Sequence, residues 1–250
     1  MGFNKKKITI GSWITLNNLS IAEILADSGF DWLCIDLEHS AIDYYEAQNL
    51  ISIIQGKGLS AFVRVSENND IIIKRILDAG ADGLIVPMVN TEDDAKRAVN
   101  SLKYPPIGTR GVGLSRAQGY GFNFEKYKNE IAPQIKLIVQ IEHVIAVENL
   151  EKILSIDGID GTFIGPYDLS GSMGKPGDYN DEDVKVVLKK YETITKEYNK
   201  LIGYHVVQPD CSQLKDKINE GYNFLAFSTD TLFLGSKARE AISGIKAYLK

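Results

Sequence analysis

Ionisable and amide side chains gather where the predicted β-strands of this chain end. Asp36, Glu38 and His39 follow one strand, Arg64 lies at the end of the next, Gln140 and Glu142 end a later one, and Asp168 follows its successor. In a barrel of parallel strands, such groups meet at the end of the barrel where catalytic residues are found. Several carboxylates in one place are costly unless they are paired or bind a metal ion. The pattern therefore predicts an active site that contains a metal.

Strand periodicity decides which of these side chains point into the barrel. Because side chains alternate between the two faces of a strand, Gln140 and Glu142 share one face. The apolar Val139 and Ile141 suit the outer face, which helices cover. We therefore expect the polar pair to point into the mouth of the barrel.

The residue types indicate a role for each group. Glu142 and Asp168 supply hard oxygen ligands of the kind that Mg²⁺, Mn²⁺ or Co²⁺ binds. Arg64 offers a planar fork that matches a substrate carboxylate. His39 is the natural proton carrier near neutral pH.

Strands and helices alternate along the whole chain. We predict strands at Ile8–Thr15, Trp32–Leu37, Ser60–Val65, Gly83–Val89, Lys136–Ile141, Gly161–Ile164, Leu201–Val207 and Phe224–Phe227. We predict helices at Ile21–Ser28, Tyr44–Gln55, Asp70–Ala79, Thr91–Leu102, Val147–Leu154, Asp181–Asn199, Cys211–Glu220 and Thr231–Leu249. This alternation over 250 residues favours one α/β domain, residues 1–250, built as a (β/α)8 or TIM barrel. An open doubly wound sheet is the competitor, but the chain lacks both GxGxxG and GxxxxGK[ST], and we expect no organic cofactor.

One connection is unusually long. The stretch from Tyr104 to Pro133 contains no convincing strand. Connections of this length in compact domains are usually functional or disordered. Because this one carries Arg110, Arg116 and Gln118, we predict an ordered loop near the site.

Composition limits the partners and the compartment. The chain has 28 Lys and Arg against 33 Asp and Glu, a formal charge of −5, which gives no electrostatic reason to expect nucleic acid or an anionic membrane as partner. No run approaches the roughly 18 apolar residues that span a bilayer, and no signal peptide is evident at the N-terminus. Of the two cysteines, Cys34 lies in an apolar strand, as expected of a buried thiol in a reducing cell. We expect a cytoplasmic protein.

Six segments resemble one enzyme family. They are IDLEHS at 35–40, VRV around Arg64, LIVPMVNTEDDAKRAV at 84–99, YPPIGTRGVG at 104–113, QIE at 140–142 and IGPYDLSGSMG at 164–174. Together they resemble the HpcH/HpaI family of metal-dependent, class II pyruvate aldolases, with the motifs in the expected order over roughly residues 8 to 235. The resemblance implies a barrel similar to the phosphoenolpyruvate/pyruvate superfamily. It also implies that a 4-hydroxy-2-oxo acid is cleaved to, or formed from, pyruvate and an aldehyde through a metal-stabilised enolate.

The resemblance assigns residues by position. It implies that Glu142 and Asp168 bind the metal, that Arg64, Gln140, Tyr167 and Asp168 contact the substrate, that Asp36 orients the catalytic His39, and that Asp78 reaches a neighbouring subunit's site. Members of the family commonly form hexamers, or trimers within them, that exchange the C-terminal helix. Tyr167 departs from the small residue that the family often has there, and Val65 stands where Pro is common. These departures affect the pocket for the aldehyde rather than the metal site.

Three rival functions remain open. A Schiff-base aldolase needs a desolvated lysine at a strand end, and no predicted strand ends in lysine. A citryl-CoA-type Mg²⁺-dependent lyase is also a barrel with carboxylate ligands, but it would be expected to show a basic surface for CoA. The rival from another class is a catalytically silent barrel used for binding, against which the intact ligands Glu142 and Asp168 argue.

Structural roles compete at single residues. Glu142 and Asp168 would form an ion pair with Arg64 or Lys136 if no metal were bound. Asp78 equally fits a solvated helix face.

Two further histidines lie at strand ends. By parity His143 points outward, and we predict a structural role for it. His205 ends a strand and could face the mouth, but we expect it to lie behind the site residues and support them.

Overall fold

Eight parallel strands close into a barrel in a computed structural model of the chain, which describes residues 7–249. The strands are β1 (Thr9–Ile14), β2 (Trp32–Asp36), β3 (Ser60–Arg64), β4 (Gly83–Val86), β5 (Lys136–Ile141), β6 (Gly161–Ile164), β7 (Leu201–Val206) and β8 (Phe224–Thr229). Each strand pairs with its neighbours in sequence, and β8 pairs with β1. The predicted (β/α)8 barrel is thus confirmed. The start of the N-terminal segment in which no signal peptide was evident, residues 1–6, lies outside the described residues.

Helices connect the strands and cover the barrel. They are α1 (Leu19–Ala26), α2 (Tyr44–Gly56), α3 (Asp70–Ala79), α4 (Glu92–Leu102), α5 (Phe124–Lys126), α6 (Val144–Glu148), α7 (Leu150–Leu154), α8 (Pro166–Ser172), α9 (Glu182–Glu197), α10 (Cys211–Asn219) and α11 (Asp230–Tyr248). All eight predicted helices are present within a few residues of their predicted bounds. The short α8, which begins with Pro at its first position, was not predicted.

Local sequence explains where these helices begin and end. At the start of α2, Asp43 accepts the backbone N–H of Glu46 and the Glu46 carboxylate accepts that of Asp43, which closes a capping box. At the end of α3, Gly80 has a φ of 106°, the left-handed conformation that glycine adopts without strain. Gly29, Gly58 and Gly221, which lie just after other helices, also have positive φ.

Two apolar cores lie on the two faces of the sheet. The larger one fills the space between strands and helices and includes Val139 and Ile141, as parity predicted. The smaller one fills the barrel interior with Trp13, Trp32, Cys34, Phe62, Ile85, Ile138, Phe163, Leu201, Phe224 and Ala226. The indole of Trp32 stacks on Phe224 with ring centroids 4.2 Å apart. The thiol of Cys34 is fully buried, as expected.

The long connection folds in a different place from the one predicted. It forms short helical turns that pack against the C-terminal end of α3, where Arg116 donates to the Ala79 carbonyl and to Gln55. Because α3 runs antiparallel to the strands, this end lies beside the amino ends of the strands. The prediction that the loop is ordered is confirmed. Within one chain, however, the loop is at the end of the barrel opposite the predicted site, because α4 returns the chain there before β5.

The last helix packs on little of its own chain. Only Asp230 at its start is buried, whereas Leu234, Ile242 and Ile245 are each more than half exposed. No helix within residues 7–249 is long and apolar enough to cross a membrane.

A pair of glycine substitutions tests the interior packing. A Cβ on Gly11 would lie 2.1 Å from the Trp32 ring, which is held against Phe224 and has little room to move. We expect Gly11→Ala to lower the free energy of unfolding by about 3 kcal/mol. Gly56→Ala is the control, since nothing lies within 4 Å of its Cβ position, and it should raise stability by about 0.5 kcal/mol. Denaturant titration measures both, and equal effects at the two positions would contradict the packing described.

Candidate active site

A cavity of about 530 Å³ opens at the carboxyl ends of the strands. Among the residues that line it are Trp13, Arg64, Gln140, Tyr167, Asp168 and His205. Glu142 and Asp36 lie directly beside these residues and are almost fully buried. The structure therefore brings together, at one end of the barrel, the polar residues that we predicted there from their positions at the ends of strands.

Arg64 is the central cation of the mouth. Its Nε and Nη2 donate to the two oxygens of Asp36 at 2.9 and 2.7 Å, a bidentate pair. Its Nη1 lies 3.3 Å from the Glu38 carboxylate. The guanidinium carbon also lies 4.5 Å from the centre of the Trp13 ring, a cation–π contact. Register explains the pairing, because Asp36 and Arg64 are directly opposite on β2 and β3.

Glu142 is a buried carboxylate without a close cation. It accepts hydrogen bonds from the backbone N–H of Met88 at 2.7 Å and from the side chain of Gln140. Burial raises the pKa of Glu142, and the negative charge of Asp168 raises it further, against the hydrogen bonds that lower it. A Cβ at Gly165 would meet the Glu142 side chain at 2.9 Å, so only glycine leaves this carboxylate in place.

The charges of the mouth fit a divalent cation. Asp36, Glu38, Glu142 and Asp168 contribute four carboxylates, and Arg64 contacts only the first two. Within residues 7–249 no cluster of three or more His, Cys, Asp or Glu residues of metal-binding geometry is present. A pair of oxygen ligands with positions left for water and substrate is the arrangement that Mg²⁺ usually takes. The donor set of Glu142 and Asp168 is therefore suitable for such an ion.

The partner of His39 differs from the one expected. Both oxygens of Asp36 accept hydrogen bonds from Arg64. Asp36 also accepts the backbone N–H of His39, at 3.2 Å, but it has no hydrogen bond with the His39 ring. The imidazole is exposed, and its Nε2 lies 3.7 Å from Glu38. Asp36 therefore fixes the turn that carries His39 rather than its ring. The reason is that His39 lies three residues beyond Asp36, past the end of β2.

Glu38 is a residue whose position the sequence left unassigned. Burial raises its pKa to about 7, although the Arg64 guanidinium opposes that shift. It stands between the guanidinium and the His39 imidazole. Its bridging position depends on the turn after β2, which ends at Asp36, and strand periodicity does not determine the path of that turn.

The two other histidines have different surroundings. His143 caps α6, since its Nδ1 accepts the backbone N–H of Ile145 at 3.2 Å, and the predicted structural role is consistent with this. His205 lines the cavity, with its ring centroid 5.7 Å from that of Trp13. The alternation of side chains along β7 indicates that His205 faces the barrel interior. The sequence alone does not show whether the ring lies in the mouth or in the layer of side chains beneath it.

Asp78 lies far from this mouth within its own chain. It sits near the end of α3, where its carboxylate accepts from Arg110 at 2.9 Å and from Gln118 at 3.0 Å. The Arg110 side chain is fully buried and also donates to the Tyr127 hydroxyl. Asp78 thus anchors the long connection and is not on a solvated helix face.

Comparison with known proteins identifies the family of this chain. Residues 9–235 match the family described as HpcH/HpaI aldolase/citrate lyase. A 2-keto-3-deoxy-L-rhamnonate aldolase of Klebsiella pneumoniae subsp. pneumoniae is 38% identical over 233 residues, which are 92% of this chain and 86% of that one. An enzyme of the same name from Escherichia coli O6:K15:H31 is 34% identical over 97% of this chain and 91% of its own.

Solved structures give the same result. A HpcH/HpaI aldolase/citrate lyase family protein from Burkholderia cenocepacia J2315 superposes with a TM-score of 0.91 at 32% identity, covering 96% of this chain and 95% of that one. The predictions of a family resemblance and of a carbon–carbon lyase are thereby confirmed. With strand-end carboxylates, an arginine at the mouth and a match over most of its length, this chain belongs to the HpcH/HpaI aldolase/citrate lyase family.

Proposed function

We propose that this protein is a metal-dependent class II aldolase that cleaves or forms a 4-hydroxy-2-oxo acid, with pyruvate and an aldehyde as the other partners. The observation that carries the proposal is the pair Glu142 and Asp168, which follow adjacent strands at a mouth where Arg64 is the cation in contact with the acids. Family membership supports the same reaction class.

Arg64 and Gln140 bind the oxo acid in this proposal. The guanidinium is fixed by Asp36 and by the Trp13 ring, so its orientation is set before substrate arrives. Asp36 occupies Nε and one N–H of Nη2, so the remaining N–H groups of Nη1 and Nη2 would bind the planar carboxylate and keto oxygens of a 2-oxo acid. The Gln140 Oε1 is buried and has no hydrogen-bond partner within the described chain, so it is available to a donor, such as a hydroxyl group of the substrate or a water molecule.

Glu142 and Asp168 would hold a divalent cation, Mg²⁺, Mn²⁺ or Co²⁺. When bound, such an ion acts as a Lewis acid that stabilises the negative charge of the enolate. The chain contributes the fixed position of Glu142, which Gly165 and the Met88 N–H define.

His39 and Glu38 are the proposed proton carriers. The imidazole is exposed at the rim and close to Glu38, whose pKa of about 7 lets it exchange protons near neutral pH. In cleavage, the hydroxyl on C4 loses its proton to this pair as the bond between C3 and C4 breaks, and C3 of the resulting enolate then takes up a proton to give pyruvate. In synthesis, the pair returns a proton to the aldehyde oxygen.

The rival mechanisms have less support. Lys217 is the lysine that lines the cavity within residues 7–249, and its Nζ is paired with Glu220 at 2.7 Å, so it is not the desolvated free amine that a Schiff base requires. A citryl-CoA-type lyase remains the alternative within the family, and a silent barrel the alternative outside it. Release of pyruvate from a 4-hydroxy-2-oxo acid distinguishes both from an aldolase.

The substrate we infer is a sugar-derived 2-keto-3-deoxy acid. The relatives at 34 to 38% identity are named for 2-keto-3-deoxy-L-rhamnonate. Tyr167, Tyr179 and Gln208 give the outer cavity hydroxyl and amide groups that suit a polyhydroxylated chain.

We further propose a homo-oligomer, a hexamer or a trimer, of single-domain chains in the cytoplasm. The exposed apolar side chains of α11 lack a partner surface within the described chain, and a second copy would cover them. Exchange of this helix between subunits would do so. In that assembly Asp78 and the connection it anchors would approach a neighbour's mouth, as the family resemblance implies.

The metal requirement is tested by chelation. We expect EDTA to abolish pyruvate release from a panel of 4-hydroxy-2-oxo acids, and added Mg²⁺, Mn²⁺ or Co²⁺ to restore it, because the lysine that lines the cavity within residues 7–249, Lys217, is paired with Glu220. Borohydride added with substrate should leave the protein mass unchanged. Full activity after exhaustive chelation, or a trapped lysine adduct, would refute the metal mechanism.

The role of Arg64 is tested by Arg64→Lys. The variant keeps the charge but loses the fork, so kcat/KM should fall on the order of 10²-fold, about 2.7 kcal/mol. Arg97→Lys on the exposed face of α4 is the control and should change little. Thermal unfolding of both variants separates a folding defect from a lost substrate contact. A loss below about threefold would place the arginine away from the substrate.

Metal binding and proton transfer are separated by two variants. Glu142→Gln removes one of two ligand charges, so calorimetry should show divalent cation binding weakened by roughly tenfold or more. His39→Ala should leave that binding unchanged and lower turnover by roughly 10²–10⁴-fold, the usual contribution of a positioned acid or base. Loss of the ion in His39→Ala with retention in Glu142→Gln would invert the assignment.

A further inference from the structure

His205 occupies a place in the mouth that the proposed mechanism does not use. It lies at the end of β7, opposite Ala226 of β8, and lines the cavity. Its ring lies against Trp13, with centroids 5.7 Å apart and the planes tilted by 58°. Arg64 lies against the same indole at 4.5 Å. Arg64 and His205 therefore border the same part of the cavity, so a substrate bound by Arg64 would lie near the imidazole.

The imidazole belongs to a group of unsatisfied polar atoms. The Nε2 of His205 is buried without a hydrogen-bond partner among the described residues, and so are the Nε1 of Trp13, the Oε1 of Gln140 and the Oγ of Ser228. Leaving such an atom unpaired costs about 1–3 kcal/mol, and native structures rarely tolerate several together without a ligand or water. These four residues are all at the carboxyl ends of strands, so polar groups of a ligand fit there.

The protonation state of His205 narrows the chemistry of that ligand. Burial lowers the pKa of His205 to about 4, and the nearby Arg64 lowers it as well, against a contact with the Ser228 backbone that raises it. At neutral pH the ring is therefore uncharged and offers one N–H donor and one bare nitrogen acceptor. The other nitrogen donates its N–H to the Ser228 backbone, so Nε2 is the bare acceptor. A hydroxyl group can donate to Nε2, whereas a carboxylate has no proton to donate and an ammonium is repelled by the adjacent guanidinium.

We propose that His205 hydrogen-bonds a hydroxyl group of the substrate beside the bond-forming carbons, and so selects hydroxylated substrates over their deoxy counterparts. This inference rests on the proposed aldol reaction, in which C3 of the oxo acid loses a proton and bonds to the aldehyde carbon, whose oxygen gains one. The hydroxyl has two sources. In a 2-keto-3-deoxy acid it is carried on the carbon next to the aldehyde carbon, and in a 3-hydroxylated oxo acid it would be carried on C3.

Two matched comparisons separate these sources in the aldol direction. The first varies the oxo acid, pyruvate against hydroxypyruvate, with acetaldehyde as the common partner. The second varies the aldehyde, acetaldehyde against glycolaldehyde, with pyruvate as the common partner. Each gives a ratio of kcat/KM for the hydroxylated over the deoxy compound, measured with metal-loaded wild-type protein and with His205→Leu.

We expect the wild-type ratio to fall about tenfold in His205→Leu for one of the two comparisons, with the deoxy reaction changed less than about twofold. His205→Gln keeps a polar tip and should retain part of the preference. His143→Leu, a histidine that caps a helix away from the cavity, is the control and should leave both ratios unchanged.

The possible results are distinct. An equal loss for hydroxylated and deoxy substrates, or unchanged ratios in both comparisons, overturns the role of His205 and leaves the aldolase standing. Absence of any aldol product with wild-type protein overturns the proposed function itself, and the inference with it. If His205→Leu does not fold, a ratio for His205→Gln equal to that of wild type in both comparisons is the overturning result.

Discussion

The guanidinium of Arg64 lies between two carboxylates and an indole, and the charge balance of the mouth follows from that position. Asp36 fixes the plane of the guanidinium through two hydrogen bonds. Glu38, in the turn after β2, lies 3.3 Å from Nη1, and the Trp13 ring makes a cation–π contact with the guanidinium. The single positive charge of Arg64 cannot neutralise the four carboxylates of the mouth. Glu142 has a raised pKa and no close positive charge. A buried surplus of this kind is stable only when a further cation enters or a proton is retained. The protein's own electrostatics therefore favour either a bound cation or a retained proton beside Glu142.

The barrel could be predicted from the sequence because the strand patterns, the helix caps and the turn residues all indicated the same order of strands and helices. Apolar strands covered on both faces, capped helices and glycines after helix ends all indicate the same alternation. Parity along β5 placed Gln140 and Glu142 inward correctly, since a strand allows only two faces. Where chain direction and periodicity alone determine a side chain's position, prediction from sequence succeeded.

Prediction failed where position depends on the path of a loop. Nothing in the residues after β2 indicated that the Asp36 carboxylate would be taken up by Arg64, leaving the His39 ring beside Glu38. Likewise, the polar residues of the long connection suggested a site, but they contact Asp78 and the end of α3. Both cases involve competition among several partners for one charged group, which only the three-dimensional distances resolve. His205 shows a different limit, because it lies within β7 and only the three-dimensional structure shows that it lines the cavity.

Trp13 belongs at once to the aromatic stack inside the barrel and to the floor of the mouth. Its ring meets Phe163 edge-on at 5.9 Å on one side, while Arg64 and His205 contact it on the cavity side. A change at this position would disturb folding and substrate recognition together, so it is a poor place for natural variation or for engineering. Position 205 contacts only the upper layer of the stack. New substrate preferences can therefore arise there while the interior of the barrel stays as it is.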